Sequence, residues 1–140
     1  MNTAHDAAIG EQIPGRSFGP VTRMDFIRFS AATADPNRVH IEEDVAKAAG
    51  LPSVIGSGGI VGGVMSDVVT AWAGLGTIRR VSGKITFPLF PGTTVVVTGE
   101  VTGREERDGA VTLEVKVQAT DENATPLGEN TYWLELPAPG

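Results

Sequence analysis

A chain of 140 residues, 41% hydrophobic and 20% charged, has the length and composition of one globular domain with one sizeable core. Its formal net charge of -6 excludes a general nucleic-acid binder, because phosphate recognition needs clustered Lys and Arg. The sequence holds no cysteine, which removes disulfides, a thiol nucleophile and thiolate metal sites. The N-terminus lacks a basic start and an apolar stretch of signal-peptide type, and the most apolar run, residues 59–74, carries Asp67 and is too short for a membrane span. A cytoplasmic location is the expectation.

In chain order, residues 1–15 read as a flexible tail closed by Pro14 and Gly15, residues 16–136 as the domain, and residues 137–140 as a second tail. A short strand is expected over residues 16–21. Thr22 is placed to cap a helix over residues 23–33, with Asp25 favourable in its first turn. Phe26, Phe29, Ser30 and Thr33 would share one face of it, and Ile27 widens the apolar stripe. A turn at residues 35–38 leads to a short helix over residues 42–49, stopped by Gly50. After the loop "LPSVIGS" comes a helix over residues 58–73. Its apolar residues point in nearly every direction, which predicts burial on most sides. Gly62 and Gly63 each cost about 1 kcal/mol of helix propensity, which predicts close approach of another backbone.

Beyond Gly76 the hydrophobic period changes to two. The runs "RRVSGKITFPLF", "TTVVVTGEVTGREE", "AVTLEVKVQATDE" and "LGENTYWLELP" read as strands. Pro91-Gly92, Asp108-Gly109 and "TPLG" mark the links, read as hairpins of an antiparallel meander. Helices first and a sheet afterwards indicate an α+β domain, with the sheet wrapped around the apolar helix.

Two stretches could carry chemistry. "GSGGIVGG" lacks the third glycine of a dinucleotide fingerprint and the Lys-Ser/Thr of a P-loop. Gly58 and Gly59 still open a helix, where unpaired N–H groups and the helix dipole can hold an oxyanion. Equally, a tight loop-to-helix turn can need glycine for its dihedral angles alone. "ADPNRVH" places Asp35, Asn37 and His40 at offsets 0, 2 and 5. It reads either as turn chemistry, since Asp and Asn bond nearby backbone, or as three groups aimed at one substrate. One histidine with Asp35 and Glu42 is no zinc set, so no metal is expected.

The second stretch resembles the motif G-D-x-N-P-x-H of the MaoC-like, R-specific enoyl-CoA hydratases, which have the hot-dog fold. The resemblance covers roughly residues 18–136 and includes "ITFPLFPGTTVVVTGEVT". It implies a single hot-dog domain in which an antiparallel sheet wraps a central buried helix. It implies that Asp35 and His40 are the catalytic pair, that Asn37 supports them, and that Gly58, with Gly59, supplies the oxyanion amide. Ser57 and Ser66 would line the acyl pocket. Three departures stand out: Ala34 and Arg38 replace the family's Gly and Pro, and Ser57 replaces a His. "VVTAWAG" resembles small hydratase subunits of bacterial steroid side-chain degradation, which pair with a second hot-dog chain.

The implied reaction is reversible hydration of a trans-2-enoyl thioester, on CoA or a carrier protein, to the 3R-hydroxyacyl thioester, without a cofactor. Arg79, Arg80 and Lys84 are candidates for CoA phosphates, or else a solvated strand face. Two alternatives remain. A hot-dog thioesterase would use an acid on the central helix, where Asp67 stands one position late. An acyl-binding partner subunit would serve another chain's site. An exposed sheet edge predicts a homodimer or a heteromer with another hot-dog chain.

Overall fold

The computed structural model describes residues 3–138. Five antiparallel strands form one sheet in the order β1-β3-β4-β5-β2. They are β1 (Gln12–Phe18), β2 (Ile78–Ile85), β3 (Val95–Arg107), β4 (Ala110–Thr120) and β5 (Pro126–Leu136). The helices are α1 (Arg23–Thr33), α2 (Glu43–Ala48) and α3 (Gly58–Ala73). Period-two alternation gives each central strand one apolar row. On β4 this row is Val111, Leu113, Val115, Val117 and Ala119, all buried, and on β5 it includes Tyr132, Leu134 and Leu136. The rows join Val61, Met65, Val68 and Val69 of α3 in one core.

α1 begins where capping chemistry puts it. Thr22 Oγ1 accepts from the Asp25 N–H, and the Asp25 carboxylate accepts from the Thr22 N–H at 2.7 Å. Hydrogen bonding to the Thr22 backbone, ahead of that to its hydroxyl, holds the Asp25 carboxyl below its ordinary value.

Three expectations change. Residues 3–15 are not a loose tail: Ala4 and Ala7 are buried, and β1 starts at Gln12. The Arg104 guanidinium donates to the carbonyls of Ala7 and His5 and ties the segment down. Two buried alanines in a polar stretch leave no periodic trace. Second, β2 and β3 are not a hairpin. β3 carries buried Val95, Val97 and Val101 and sits between β1 and β4, whereas β2, with Arg79, Arg80, Ser82 and Lys84 exposed, takes the far edge beside β5. Residues 86–94 therefore cross from one side of the sheet to the other. Third, α3 is buried along one stripe only, and Gly63, Asp67 and Ala71 are exposed. A Cβ on Gly62 or Gly63 would meet no atom within 4 Å, so no backbone approaches there.

That last point has a measurable consequence. Gly63→Ala should raise the free energy of unfolding by about 0.5–1 kcal/mol in urea titrations, because the site is helical, open and solvent-facing. A clear loss of stability would mean that this face is covered by something outside the chain.

Candidate functional site

The stretch "ADPNRVH" folds by the local chemistry of its own side chains. The Asp35 N–H donates to the Ser30 carbonyl at the end of α1, and Ala34 takes the left-handed conformation there, φ 53. Asp35 Oδ1 accepts from the Asn37 N–H at 3.1 Å, which closes an Asx turn. Asn37 Oδ1 accepts from the Val39 N–H and caps a 3₁₀ turn, Arg38–His40. Arg38 is drawn outward by Glu42, with two contacts of 2.6 Å. His40, two places on, is 8% exposed.

The loop before α3 fixes the imidazole. His40 Nδ1 stands 2.7 Å from the Ile55 carbonyl oxygen, and the Ile55 N–H donates to the Val39 carbonyl at 3.3 Å. A carbonyl oxygen has only lone pairs, so Nδ1 carries the proton and Nε2 of the neutral ring is an acceptor. Nε2 points toward Asp35 Oδ2 at 3.4 Å. Asp35 Oδ1 is engaged by Asn37, which leaves Oδ2 free to face the ring. Two acceptors thus face one point in space.

Next to this pair lies a cleft of about 310 Å³ lined by His40, Ile55, Gly56, Gly58, Ile85 and Phe87 among others. Its far wall is the crossing segment. The Gly56 N–H donates to the Leu89 carbonyl at 2.7 Å, and Phe87 and Phe90 meet edge to face. Gly56 has no room for a side chain: a Cβ would lie 2.7 Å from Phe26 Cε1 and 3.0 Å from Leu89 Cδ2. Gly58 is the first residue of α3, so its N–H lies outside the helical ladder, at the positive end of the dipole.

The expected site residues separate into two groups. His40 and Gly58 line the cleft, and Asp35 stands behind His40, its Oδ2 3.4 Å from Nε2. Asn37 bonds Asp35 Oδ1 through its backbone N–H and caps the turn that carries His40 through its side chain. Gly59 does not line the cleft, and its N–H is already bonded to Ser57 Oγ at 3.2 Å. Ser57 is thereby the cap of α3. Ser66 bonds the Gly62 carbonyl and, at 2.9 Å, the hydroxyl of buried Tyr132. The three basic residues of β2 do not converge on the cleft. Arg79 pairs with Glu135, Arg80 lies over the Trp133 ring and Lys84 pairs with Glu129. Strand alternation puts Lys84 on the face opposite Ile85. Asp67, the acid a thioesterase reading would use, pairs with Arg16 of β1 at 3.0 Å.

Sequence reasoning missed Gly56, Ile55 and the wall formed by residues 86–89. Ile55 acts through backbone atoms, which no side-chain pattern betrays. The wall depends on β2 lying across the sheet from β3.

One long helix gripped by a five-stranded antiparallel sheet in the order β1-β3-β4-β5-β2 defines a hot-dog domain. The MaoC like domain family matches residues 5–123, and the chain belongs to that family. Membership supports a hydratase or dehydratase role in general terms. No curated protein sequence matches the chain. Among solved structures it is similar to a chain of the ChsH1-ChsH2 complex from Mycobacterium tuberculosis, with 25% identity over 93% of this chain and 98% of that one, TM-score 0.79. The (R)-hydratase from A. caviae involved in PHA biosynthesis shares the fold at 18% identity, over 96% of this chain and 100% of that one, TM-score 0.81. The MaoC-like dehydratase from Rhodospirillum rubrum does so at 15% identity, over 100% and 99%, TM-score 0.84.

The tightness at Gly56 gives a check on the site's construction. Gly56→Ala should cost about 1–3 kcal/mol by overpacking against Phe26 and Leu89, read by chemical denaturation. An unchanged midpoint would show that the crossing segment yields freely and is not the fixed wall described.

Proposed function

We propose that the cleft adds water across the double bond of a trans-2-enoyl thioester, giving the 3R-hydroxyacyl thioester, and runs the reverse dehydration. The observation that carries this reading is the pair of acceptors, His40 Nε2 and Asp35 Oδ2, 3.4 Å apart, with His40 lining the same cleft as Gly58 at the start of α3.

A water is the natural occupant of the point the two acceptors share. Placed about 2.8 Å from each, it donates one proton to Nε2 and one to Oδ2, and turns a lone pair toward the cleft. The water oxygen adds to C3 of the substrate while the pair takes one of its protons. The electrons of the double bond move onto the thioester oxygen, where the Gly58 N–H and the dipole of α3 meet the developing charge. The enolate collapses by taking a proton at C2 from the pair, which returns it to its starting state. Bond making balances: one water is consumed, one C–O and one C–H bond form, and no cofactor is required by the chemistry. Burial of His40 holds the ring in register. The hydrogen bond to Ile55 stabilises the imidazolium that forms when Nε2 is protonated.

Asp67 speaks against the thioesterase alternative, because its carboxylate is engaged with Arg16 and is not among the residues of the cleft. The alternative of a chain that only completes another's site is disfavoured by the Asp35–His40 pair held within one chain. Assembly with a second hot-dog chain remains part of the proposal. β2 is an exposed edge that carries Val81 and Ile85 at 45% and 42% exposure, and a similar chain comes from a structure named as a two-component complex. Among the described residues no helix is long and apolar enough to cross a membrane; a cytoplasmic location is proposed with the function.

Asp35→Asn and His40→Gln should each lower turnover of crotonyl-CoA by about 10²- to 10⁴-fold with the fold intact by circular dichroism. The assay is loss of enoyl-thioester absorbance together with titration of free thiol. Absorbance loss without thiol release is the expected result. Full activity in either variant, or stoichiometric thiol release by the unaltered protein, would contradict the proposal.

A further inference from the structure

The β2 side of the cleft is closed by one side chain. Ile85 lines the cleft and leans into space left by two glycines. Its Cγ1 lies 3.1 Å from where a Cβ on Gly58 would stand, and its Cδ1 lies 3.0 Å from the corresponding point on Gly128. Val61 closes the same corner, 3.4 Å from the Gly128 point. Ile85 is nevertheless 42% exposed, so it is not locked in the core.

Beyond Ile85 the same face continues in two further levels. Gly83 pairs with Asn130 across β2 and β5, and Val81 pairs with Tyr132. On α3, residues spaced by four lie on one face, so Gly58, Gly62 and Ser66 stack over the three levels in turn. The Ser66–Tyr132 hydrogen bond at 2.9 Å fixes the third level, and Asn130 Nδ2 donates to the Tyr132 hydroxyl at 3.1 Å. The middle level has glycine on both β2 and α3. A Cβ on Gly62 would meet nothing within 4 Å. The face behind Ile85 is therefore a shallow slot: its helix side is bare, the Asn130 side chain occupies the space next to Gly83, and Ser66 and Tyr132 close the far end.

We propose that Ile85 limits the length of the acyl group that the cleft accepts, and that removing its side chain joins the cleft to the slot ending at Ser66 and Tyr132. This rests on the acyl-thioester reading above and names a substrate class for it, short-chain 2-enoyl thioesters. The cleft volume of about 310 Å³ agrees, since it lies at the lower end of the range for small-molecule sites. Ser66, expected to line the acyl pocket, is not among the residues of the cleft that His40 and Ile85 line, and joins it in this proposal only once Ile85 is gone.

Binding can be separated from chemistry by titrating butyryl-CoA and octanoyl-CoA, which cannot be hydrated, into the purified protein by calorimetry. The unaltered protein should prefer butyryl-CoA by about tenfold or more. Ile85→Ala should reduce or invert that ratio by about tenfold, and Ile85→Val should move it the same way by a smaller factor if the alanine variant folds poorly. Adding Gly62→Leu to Ile85→Ala should refill the slot and restore the preference for butyryl-CoA. Equal or better binding of octanoyl-CoA by the unaltered protein, an unchanged ratio in both Ile85 variants, or no binding of either ligand would overturn the proposal. Crotonyl-CoA hydration is assayed on the same samples. Length selection without hydration would keep the role of Ile85 and remove the hydratase reading, whereas hydration with an unchanged ratio would do the reverse.

Discussion

The site depends on a residue whose side chain has no part in it. Ile55 offers its N–H to the Val39 carbonyl and its carbonyl oxygen to His40 Nδ1, at 3.3 and 2.7 Å. These two bonds join the turn after α1 to the loop before α3, so the imidazole and the helix start are parts of one rigid corner. The second bond also decides the chemistry. By demanding a donor at Nδ1 it turns Nε2 into an acceptor, and an acceptor opposite a carboxylate can be satisfied by a water that donates to both. Without Ile55 the ring could present its other tautomer to Asp35, bond to it directly and leave no place for water.

The rest of the fold serves that corner. α3 is anchored by its buried stripe, with Val61, Met65, Val68 and Val69 against the sheet, and this sets where Gly58 ends up. The crossing segment closes the cleft because β2 and β3 lie at different places in the sheet, so the chain must travel over the start of α3. Gly56 is the contact point, and only glycine clears both Phe26 and Leu89 there. The polar cluster of Ser66, Tyr132 and Asn130 lies on the same helix-to-sheet seam, further along. In the proposal made for Ile85, cleft and seam are two ends of one gap between α3 and β2.

Much of this was legible in the sequence because it follows from short-range chemistry. The Thr22 and Asp25 cap, the start of α3 at Gly58 and the alternation of β4 are local signals that the structure repeats. The turn is there, and the proposed site is built on it: Asp35 and Asn37 bond neighbouring backbone as turn residues do, and the same bonds leave Oδ2 facing His40. What the sequence left unread is long-range. The crossing of β2 and β3 cannot be seen from two strand-like runs with Pro91-Gly92 between them. The packed N-terminal segment rests on Ala4, Ala7 and a guanidinium about a hundred residues away. Gly62 and Gly63 looked like close contacts and face open space instead. The basic residues of β2 looked like phosphate ligands, but their partners on β5 are fixed by pairing register, which the sequence does not reveal.

The central claim is that His40 keeps its proton on Nδ1 and shares a water with Asp35 through Nε2. Nitrogen-15 NMR of ring-labelled protein, at a pH where the imidazole is neutral, reads the tautomer directly. The account predicts the Nδ1–H form for His40, with Nε2 at the shift of an unprotonated nitrogen that accepts a hydrogen bond. Observation of the Nε2–H form would mean that the ring donates straight to Asp35, and would contradict the account.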